Sequence, residues 1–477
     1  MFNQLILLSV GCPVLGAFLL PAFSRLSEKL RNAAALLLVL VPFVAAFFLI
    51  PEASVDKGRV FQFLSPIGSH LFVVDALSVF MAMVSSFIGS LIIVYSFGYI
   101  SHYDNRDEYY LVVVLFLGSM MGLVYSANLI YIYVFWEVTA FCCWRLIGFF
   151  RGETHIFRAD KAFLVTMAGS LIMLVGFLGV YHQTGSFDLA IIKERLNGIP
   201  ISSFYVFLIL FGILSKSATL PFHTWLPDAG VAPTPVTALL HAAVLVKIGV
   251  YVYARLFVAT FPIEQFWHIL IPILAGISAL VSGCAALLEN DIKRIIAYST
   301  VSQIGFIFLG LSIGNEVALL GGLLYILMHG LSKAGLFLCA GIIEHASHTK
   351  DITKLGGLFS AMPVTAVSFL ICAFSVMGIP PFGGFFSKYF VIIGAAKSGL
   401  GIACFFLFGA VLTMLYLMRV FNAIFMGETK MEGLHEGCPW MVGTVASLAF
   451  LSLAGGVFSQ FPVDLVQTAV KQMLGAV

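Results

Sequence analysis

The sequence predicts an all-α polytopic membrane protein, and three observations carry that prediction. Apolar runs of about 20 residues recur from one end of the chain to the other, each long enough to cross a hydrocarbon core about 30 Å thick. Only 10% of the residues are charged, against about 25% in soluble proteins. The mean hydropathy is +1.05, as expected of a chain that hides most of its length from water.

Hydropathy divides the chain into about 14 segments, roughly 3–21, 30–50, 71–99, 109–126, 128–149, 159–181, 203–227, 235–258, 266–288, 294–313, 317–342, 360–393, 400–425 and 440–460. The first, LILLSVGCPVLGAFLLPAF, has no basic stretch ahead of it and further spans behind it, so it reads as a retained helix rather than a cleaved signal. Loops after odd-numbered segments hold fourteen lysines and arginines, and loops after even-numbered ones hold six, among them Lys57 and Arg59. Positive loops stay inside, so the odd loops are expected to face the cytoplasm or matrix and both termini the other side. The expected location is the inner or plasma membrane of a prokaryotic cell.

The seventh segment runs into KSATLPFHTWLPDAGVAPTPV at 216–236, which holds four prolines, a lysine, a histidine and an aspartate. Pro221 and Pro227 break the helix there, since proline lacks the N–H that the helix needs. The motif has an echo: TLPFHTW at 219–225 is matched by IPPFGGF at 379–385, where Pro380 and Pro381 break the twelfth segment. ANLIYIYVFWE at 127–137 likewise lies opposite NDIKRIIAYST at 290–300, and YARLF at 253–257 opposite LMRVF at 417–421. These matches share an offset near 160 residues and predict two five-helix repeats. The chain is expected to divide into three N-terminal helices (1–108), a first repeat (109–258), a second (259–425) and a last helix with a tail (426–477). An odd number of spans inverts the second repeat relative to the first. Inverted repeats with one broken helix apiece are a transporter architecture, and irregular backbone at membrane depth is tolerated only inside protein or beside a water-filled cavity.

Charged groups lie within these apolar segments. Glu137 sits in YVFWEVTAFCCW, Lys216 directly precedes the first break, and Lys247 lies in AAVLVKIGVYVYA, six residues after His241. His329 and Lys333 share one helix face at i,i+4, and Lys388 follows the second break in PPFGGFFSKYF. Each charge at a helix centre costs about 2.5–3.5 kcal/mol, so five unpaired ones would cost about 12 kcal/mol, comparable with the whole stability of a typical fold. They have to be paired or hydrated. Lysine gives up its proton readily when desolvated and keeps it beside a carboxylate, so Glu137 and Lys216 are expected to form a switchable pair. His223 sits in the break, while Glu344, His345 and His348 near a helix end are expected to be interfacial. A row of protonatable groups across successive helices suits a proton wire and not a sugar or amino-acid pocket.

Other chemistries find no support. The eight cysteines show no CxxC spacing for an iron–sulfur or zinc site. There is no GxxxxGK, and no GxGxxG after a strand. The net charge of +2, without a basic cluster, gives no reason to expect nucleic acid. No cofactor, no metal and no catalytic centre of its own are expected of this chain.

The run KSATLPFHTWLPDAGVAPTPVTALLHAAVLVKIGVY, the FWE of the fifth segment, DIKRIIAYSTVSQIGF and PPFGGFFSK resemble the antiporter-like membrane subunits shared by complex I (NADH:quinone oxidoreductase), membrane-bound hydrogenases and Mrp-type multisubunit cation/proton antiporters. The resemblance covers roughly residues 70 to 425. It implies that Glu137 and Lys216 gate proton movement, that His241 and Lys247 bridge two half-channels, that His329 and Lys333 form a central relay, and that Lys388 stands at the exit. It also implies that Lys388→Glu is tolerated, because some relatives carry glutamate there. The sequence as given shows no counterpart of the long lateral helix of the distal complex I subunit, although its LPFHTWLPDA…APTPV…LLH run resembles that type and the large Mrp subunit. The implied function is translocation of protons, or Na+, within a multisubunit complex in the lipid bilayer. Its partners would be other membrane subunits and a peripheral redox arm, or in the alternative only the small subunits of an Mrp-type antiporter. A self-sufficient solute carrier and a scaffold are the readings from other classes, and the buried lysines argue against the scaffold.

Overall fold

The computed structural model describes residues 2–54, 59–61 and 70–475; of the basic residues used for orientation, Lys57 lies outside them. Among the described residues, twelve helices are long and apolar enough to cross a membrane, and two shorter apolar ones, Ser203–Lys216 and Pro363–Met377, run into the two breaks. With these two, all fourteen expected segments are present as helices. Three features were not anticipated: a short antiparallel ribbon pairing Arg59–Phe61 with Phe72–Val74, and the helices Leu189–Leu196 and Gln460–Leu474. The last is held by Gln472, which accepts from the Ala76 amide at 2.9 Å and donates to the Ala53 carbonyl at 2.7 Å.

Helix starts follow local chemistry. Asn128, Asp188, Asp291, Asn315 and Asp351 each turn a side-chain oxygen onto the orphan amides of the first turn. Asp75 and Ser78 form a reciprocal capping box.

Those caps also expose the repeat. Asn128 bridges Asp188, and 163 residues further on Asp291 bridges Asp351. The flanking backbone bonds recur at the same offset: Leu129 to Phe187 and Leu189 to Ala127, then Ile292 to Lys350 and Ile352 to Asn290. Glu153–Thr184 and Glu316–Ser347 are both 32 residues long, and each ends on a left-handed residue, Gly185 and His348. Two five-helix units therefore share one frame, each carrying a broken helix.

The Thr234–Val258 span lies wholly inside the protein, and Ile292–Ser312 and Glu316–Ser347 are nearly so. Gly310 and Gly322 let the latter two approach closely, since a Cβ on either would strike the other's backbone. Helices of the rim, such as Glu28–Ala53, turn leucines and phenylalanines outward, as a lipid-facing surface requires. The eighth segment, expected as one helix, includes two π-helical stretches, Leu239–Ala243 around His241 and Ala254–Val258 around Arg255. Such π segments are frequent at functional sites.

Candidate functional site

The first break begins where Ala218 turns left-handed after Lys216. Trp225 closes it by donating its indole N–H to the Ser215 carbonyl at 3.0 Å. Asp228 ties the returning chain to its neighbours through Lys161 at 2.7 Å and Arg294 at 2.8 Å. The second break turns at Gly378, and the Ser375 hydroxyl accepts the Gly384 amide at 3.2 Å. Both breaks contain a cis X–Pro bond, at Leu220–Pro221 and Pro380–Pro381; Pro227 lies in the short helix Trp225–Asp228 just beyond the first.

Lys216 is wholly buried, and its ammonium donates to the Trp136 carbonyl at 3.1 Å and lies 5.2 Å from the Trp136 ring centre. It does not form the expected ion pair. No contact within 4.0 Å joins it to Glu137, although the two lie within electrostatic range and one oxygen of Glu137 has no hydrogen-bond partner. The reason is geometric: the ammonium is taken up by the backbone of the residue before Glu137. The structure thus holds the pair apart.

From there the axis passes inward. The span bearing Lys247 rests on the end of the Lys216 helix, because Gly249 packs directly on Ser217 and the Ile213 carbonyl. Lys247 is wholly buried, has no hydrogen-bond partner among the described residues, and points its ammonium at Gly330. Gly330 is the neighbour of His329, whose ionisable surroundings are Lys247, Lys333, Lys388 and His241. His241 packs against Phe337, ring centres 4.4 Å apart and tilted by 39°, on the helix that carries His329 and Lys333. Neither imidazole has a hydrogen-bond partner among the described residues. Buried polar atoms are seldom left so.

The far end is better satisfied. Lys333 donates to Ser299 at 2.6 Å and to the Ile296 carbonyl at 3.2 Å. Ser299 shares a hydrogen bond of 2.7 Å with the Tyr416 hydroxyl. Gln303 donates to Tyr416 at 3.2 Å and Thr413 at 3.0 Å and accepts from Tyr325 at 2.6 Å. Lys388 donates to the Val376 carbonyl at 2.7 Å, with its ammonium over the rings of Phe306 and Tyr325. His223 stands in the first break, half-buried beside the charge of Lys161 rather than on this axis. Glu344, near the end of its helix, binds the buried Lys293 at 2.6 Å and Lys350 at 3.2 Å.

Sequence reading missed Ser299, Gln303, Tyr325, Thr413 and Tyr416. The i,i+4 rule held the clue to three of them: Tyr325 extends the His329–Lys333 face by one turn, and Ser299 and Gln303 are themselves four residues apart. The buried pair of Arg255 with both oxygens of Asp75 was missed as well.

Fold and site together define a polytopic helical membrane protein of the inverted-repeat class, with a polar axis running through its middle. A family model described as NADH:quinone oxidoreductase/Mrp antiporter, transmembrane, matches residues 126–413, and the chain belongs to that family. A second, described as NADH-ubiquinone oxidoreductase (complex I) chain 5 N-terminus, matches residues 69–110. A Na(+)/H(+) antiporter subunit of Alkalihalophilus pseudofirmus is 34% identical over 98% of this chain and 62% of its own length. The NAD(P)H-quinone oxidoreductase chain 5 of Synechocystis is also 34% identical, over 87% of this chain and 64% of its own. The chain thus spans a little under two thirds of these relatives. A chain of the Mrp complex from Dietzia superposes with a TM-score of 0.89 at 23% identity, covering 99% of this chain and 98% of that one. A chain of respiratory complex I from Thermus thermophilus does so with 0.85 at 23%, covering 99% and 100%. These two likenesses establish the fold.

Proposed function

We infer that this chain is an ion-translocating, antiporter-like subunit of a multisubunit membrane complex, and that it moves protons along Glu137, Lys216, Lys247, His241, His329, Lys333 and Lys388. One observation carries the reading: four buried lysines, two buried histidines and the half-buried Glu137 lie along one axis through the packed centre, at a cost of about 2.5–3.5 kcal/mol for each unpaired charge. A scaffold gains nothing from that cost. A relay needs groups that take and release a proton within hydrogen-bond reach or through a water. In the separated arrangement seen here, Lys216 has left Glu137 for a backbone carbonyl. Reunion with Glu137 would recharge it.

The driving force belongs to the complex. The first reading is a redox-driven, complex I-like or hydrogenase-like pump with a peripheral arm, in a prokaryotic inner membrane, with both termini on the non-cytoplasmic side. The second is a component of an Mrp-type Na+/H+ antiporter; the match to the Alkalihalophilus antiporter protein over 98% of this chain, against 87% for the quinone oxidoreductase chain, favours it. Mass spectrometry of partners drawn from the native membrane in mild detergent separates the two. Co-purifying iron–sulfur or nickel–iron subunits identify the pump, and small membrane subunits alone the antiporter. The relay itself is tested by Lys216→Ala in the assembled complex. Proton movement should vanish while assembly persists, and loss of assembly would return Lys216 to a structural part.

A further inference from the structure

At the odd-loop end of the molecule a cleft of about 410 Å³ opens between the end of Ala76–Tyr99, the starts of Glu153–Thr184 and Ile292–Ser312, and the end of Glu316–Ser347. Four histidines line it, His102, His155, His345 and His348, with Lys293, Glu344 and Lys350 at its floor. The floor is organised. The Glu344 carboxylate binds Lys293, whose side chain is only 2% exposed, and Lys350. Thr234 adds hydrogen-bonding contacts of 3.3 Å to Glu344 and to the Tyr99 hydroxyl. Lys293 also donates to the Ala232 carbonyl at 3.3 Å.

Two helices lead from this floor to the polar axis. Ile292–Ser312 carries Lys293 in its first turn and presents the Ile296 carbonyl and Ser299 hydroxyl to Lys333. Six residues of helix, about 9 Å, separate Lys293 from Ser299, a gap that two or three hydrogen-bonded groups can cross. Thr234, which contacts Glu344 from behind the lining, starts the span that carries His241 seven residues on, about 10 Å of rise.

We propose that this cleft is a proton-uptake mouth serving Lys333 and His241, with the Lys293–Glu344 pair as its gate. The inference rests on the proton-translocating reading above. The lining chooses the ion. Na+ seeks several oxygen ligands, as hard cations do, whereas here imidazoles dominate the wall and the one carboxylate is already bound by two ammonium groups. A proton arriving from water converts the Glu344 carboxylate to the neutral acid. That releases the Lys293 ammonium, which can then pass a proton inward through Ser299, whose hydroxyl hands its own proton to Lys333 when that side chain is neutral, while Lys293 regains a proton from the acid and Glu344 returns to the carboxylate.

The test uses the native complex in sealed inside-out and right-side-out vesicles. Phe150, on the rim of the cleft and exposed, is replaced by cysteine and labelled with a bulky, membrane-impermeant thiol reagent. The unsubstituted chain, with its own eight cysteines, is treated identically. Proton movement should fall at least tenfold after labelling, in one vesicle orientation only, with no such fall in the unsubstituted chain. Full labelling without a change in rate overturns the mouth. Glu344→Gln, assembled to normal levels, should slow transport at least tenfold, with Glu344→Asp restoring most of it; an unchanged rate in Glu344→Gln also overturns the gate. If Lys216→Ala is dead while the labelled Phe150→Cys complex runs at full rate, the mouth alone fails. If Lys216→Ala itself transports normally, the translocation reading fails.

Discussion

Gly330→Ala separates the relay from the fold. A methyl built on Gly330 stands within 3.0 Å of the Lys247 ammonium and of the terminal methyl of Ile88, while the nearest backbone atom, the Ala242 carbonyl oxygen, is 3.2 Å away. Ordinary contact needs about 3.5–4.0 Å, so the ammonium has to retreat by about 1 Å. Both close atoms are the far ends of flexible side chains, and Lys247 has no hydrogen bond among the described residues to lose. The helix itself gains, because alanine is favoured over glycine by about 1 kcal/mol in a helix interior. Stability should therefore hold or rise while function falls. Misplacing a reacting group by about 1 Å costs on the order of 100-fold, so proton movement in vesicles is expected to drop between tenfold and 100-fold with an unchanged or higher Tm. Full transport with a normal Tm would refute the placement of Lys247 on the route past His329. A lowered Tm would show that Ile88 and the Ala242 backbone cannot yield as the geometry implies.

Three further outcomes follow from the same contacts. Lys388→Glu, tolerated by resemblance to relatives, should instead slow transport at least tenfold, because the Val376 carbonyl and the faces of Phe306 and Tyr325 all favour a cation; a full rate would show that the second break accepts either charge. Gln303→Leu strands the hydroxyl of Tyr325 and removes a donor from Tyr416 and Thr413; it should cost about 1–3 kcal/mol, read as a lower Tm together with slower transport. Asp75→Asn leaves Arg255 buried without its charged partner and should cost about 3–5 kcal/mol. Burial opposes the ionised Asp75 carboxylate, but Arg255 and Ser78 hold its pKa below the ordinary value. Its stabilisation is therefore present above the unfolded pKa and lost as pH falls through the folded one. A thermal-unfolding series toward acid should show the wild type losing its advantage over Asp75→Asn, and a constant difference would deny the coupling.

The architecture was legible because lipid imposes simple rules. Apolar length marks the spans, and proline marks the breaks. The weak match of ANLIYIYVFWE to NDIKRIIAYST became an exact-register correspondence once Asn128–Asp188 and Asp291–Asp351 were seen to bridge alike. Charges such as Lys247 and Lys333 stood out because a charge inside an apolar run is costly and therefore rarely incidental. Hydroxyls and amides did not, since Ser299 and Tyr416 look ordinary in their own segments and meet only when helices more than 100 residues apart pack together. The Leu189–Leu196 helix is only eight residues long and only weakly apolar, so hydropathy passed over it. The separation of Lys216 from Glu137 was hidden for a different reason: spacing cannot tell a side-chain acceptor from the carbonyl of the residue beside it.

The repeat copies the backbone but not the charges, and the difference gives the axis two unlike ends. In the register of the breaks, Val376 takes the place of Lys216, and Lys388 that of Asp228. The first unit places its ammonium before the break and, after it, an aspartate that locks the returning chain to Lys161 and Arg294. The second places its ammonium after the break and folds it back onto the Val376 carbonyl, the very position Lys216 occupies in the first. Each break thus holds one ammonium, brought from opposite flanks. Lys216 has the carboxylate of Glu137 within electrostatic range, whereas the residue matching Glu137 in the second unit is Thr300, which offers no charge. The ammonium at the first end therefore has a carboxylate within electrostatic range, and the one at the second end a carbonyl and two ring faces. A symmetric pair would hold a proton equally well at both ends. This one distinguishes them, which suits the directional movement proposed for the axis.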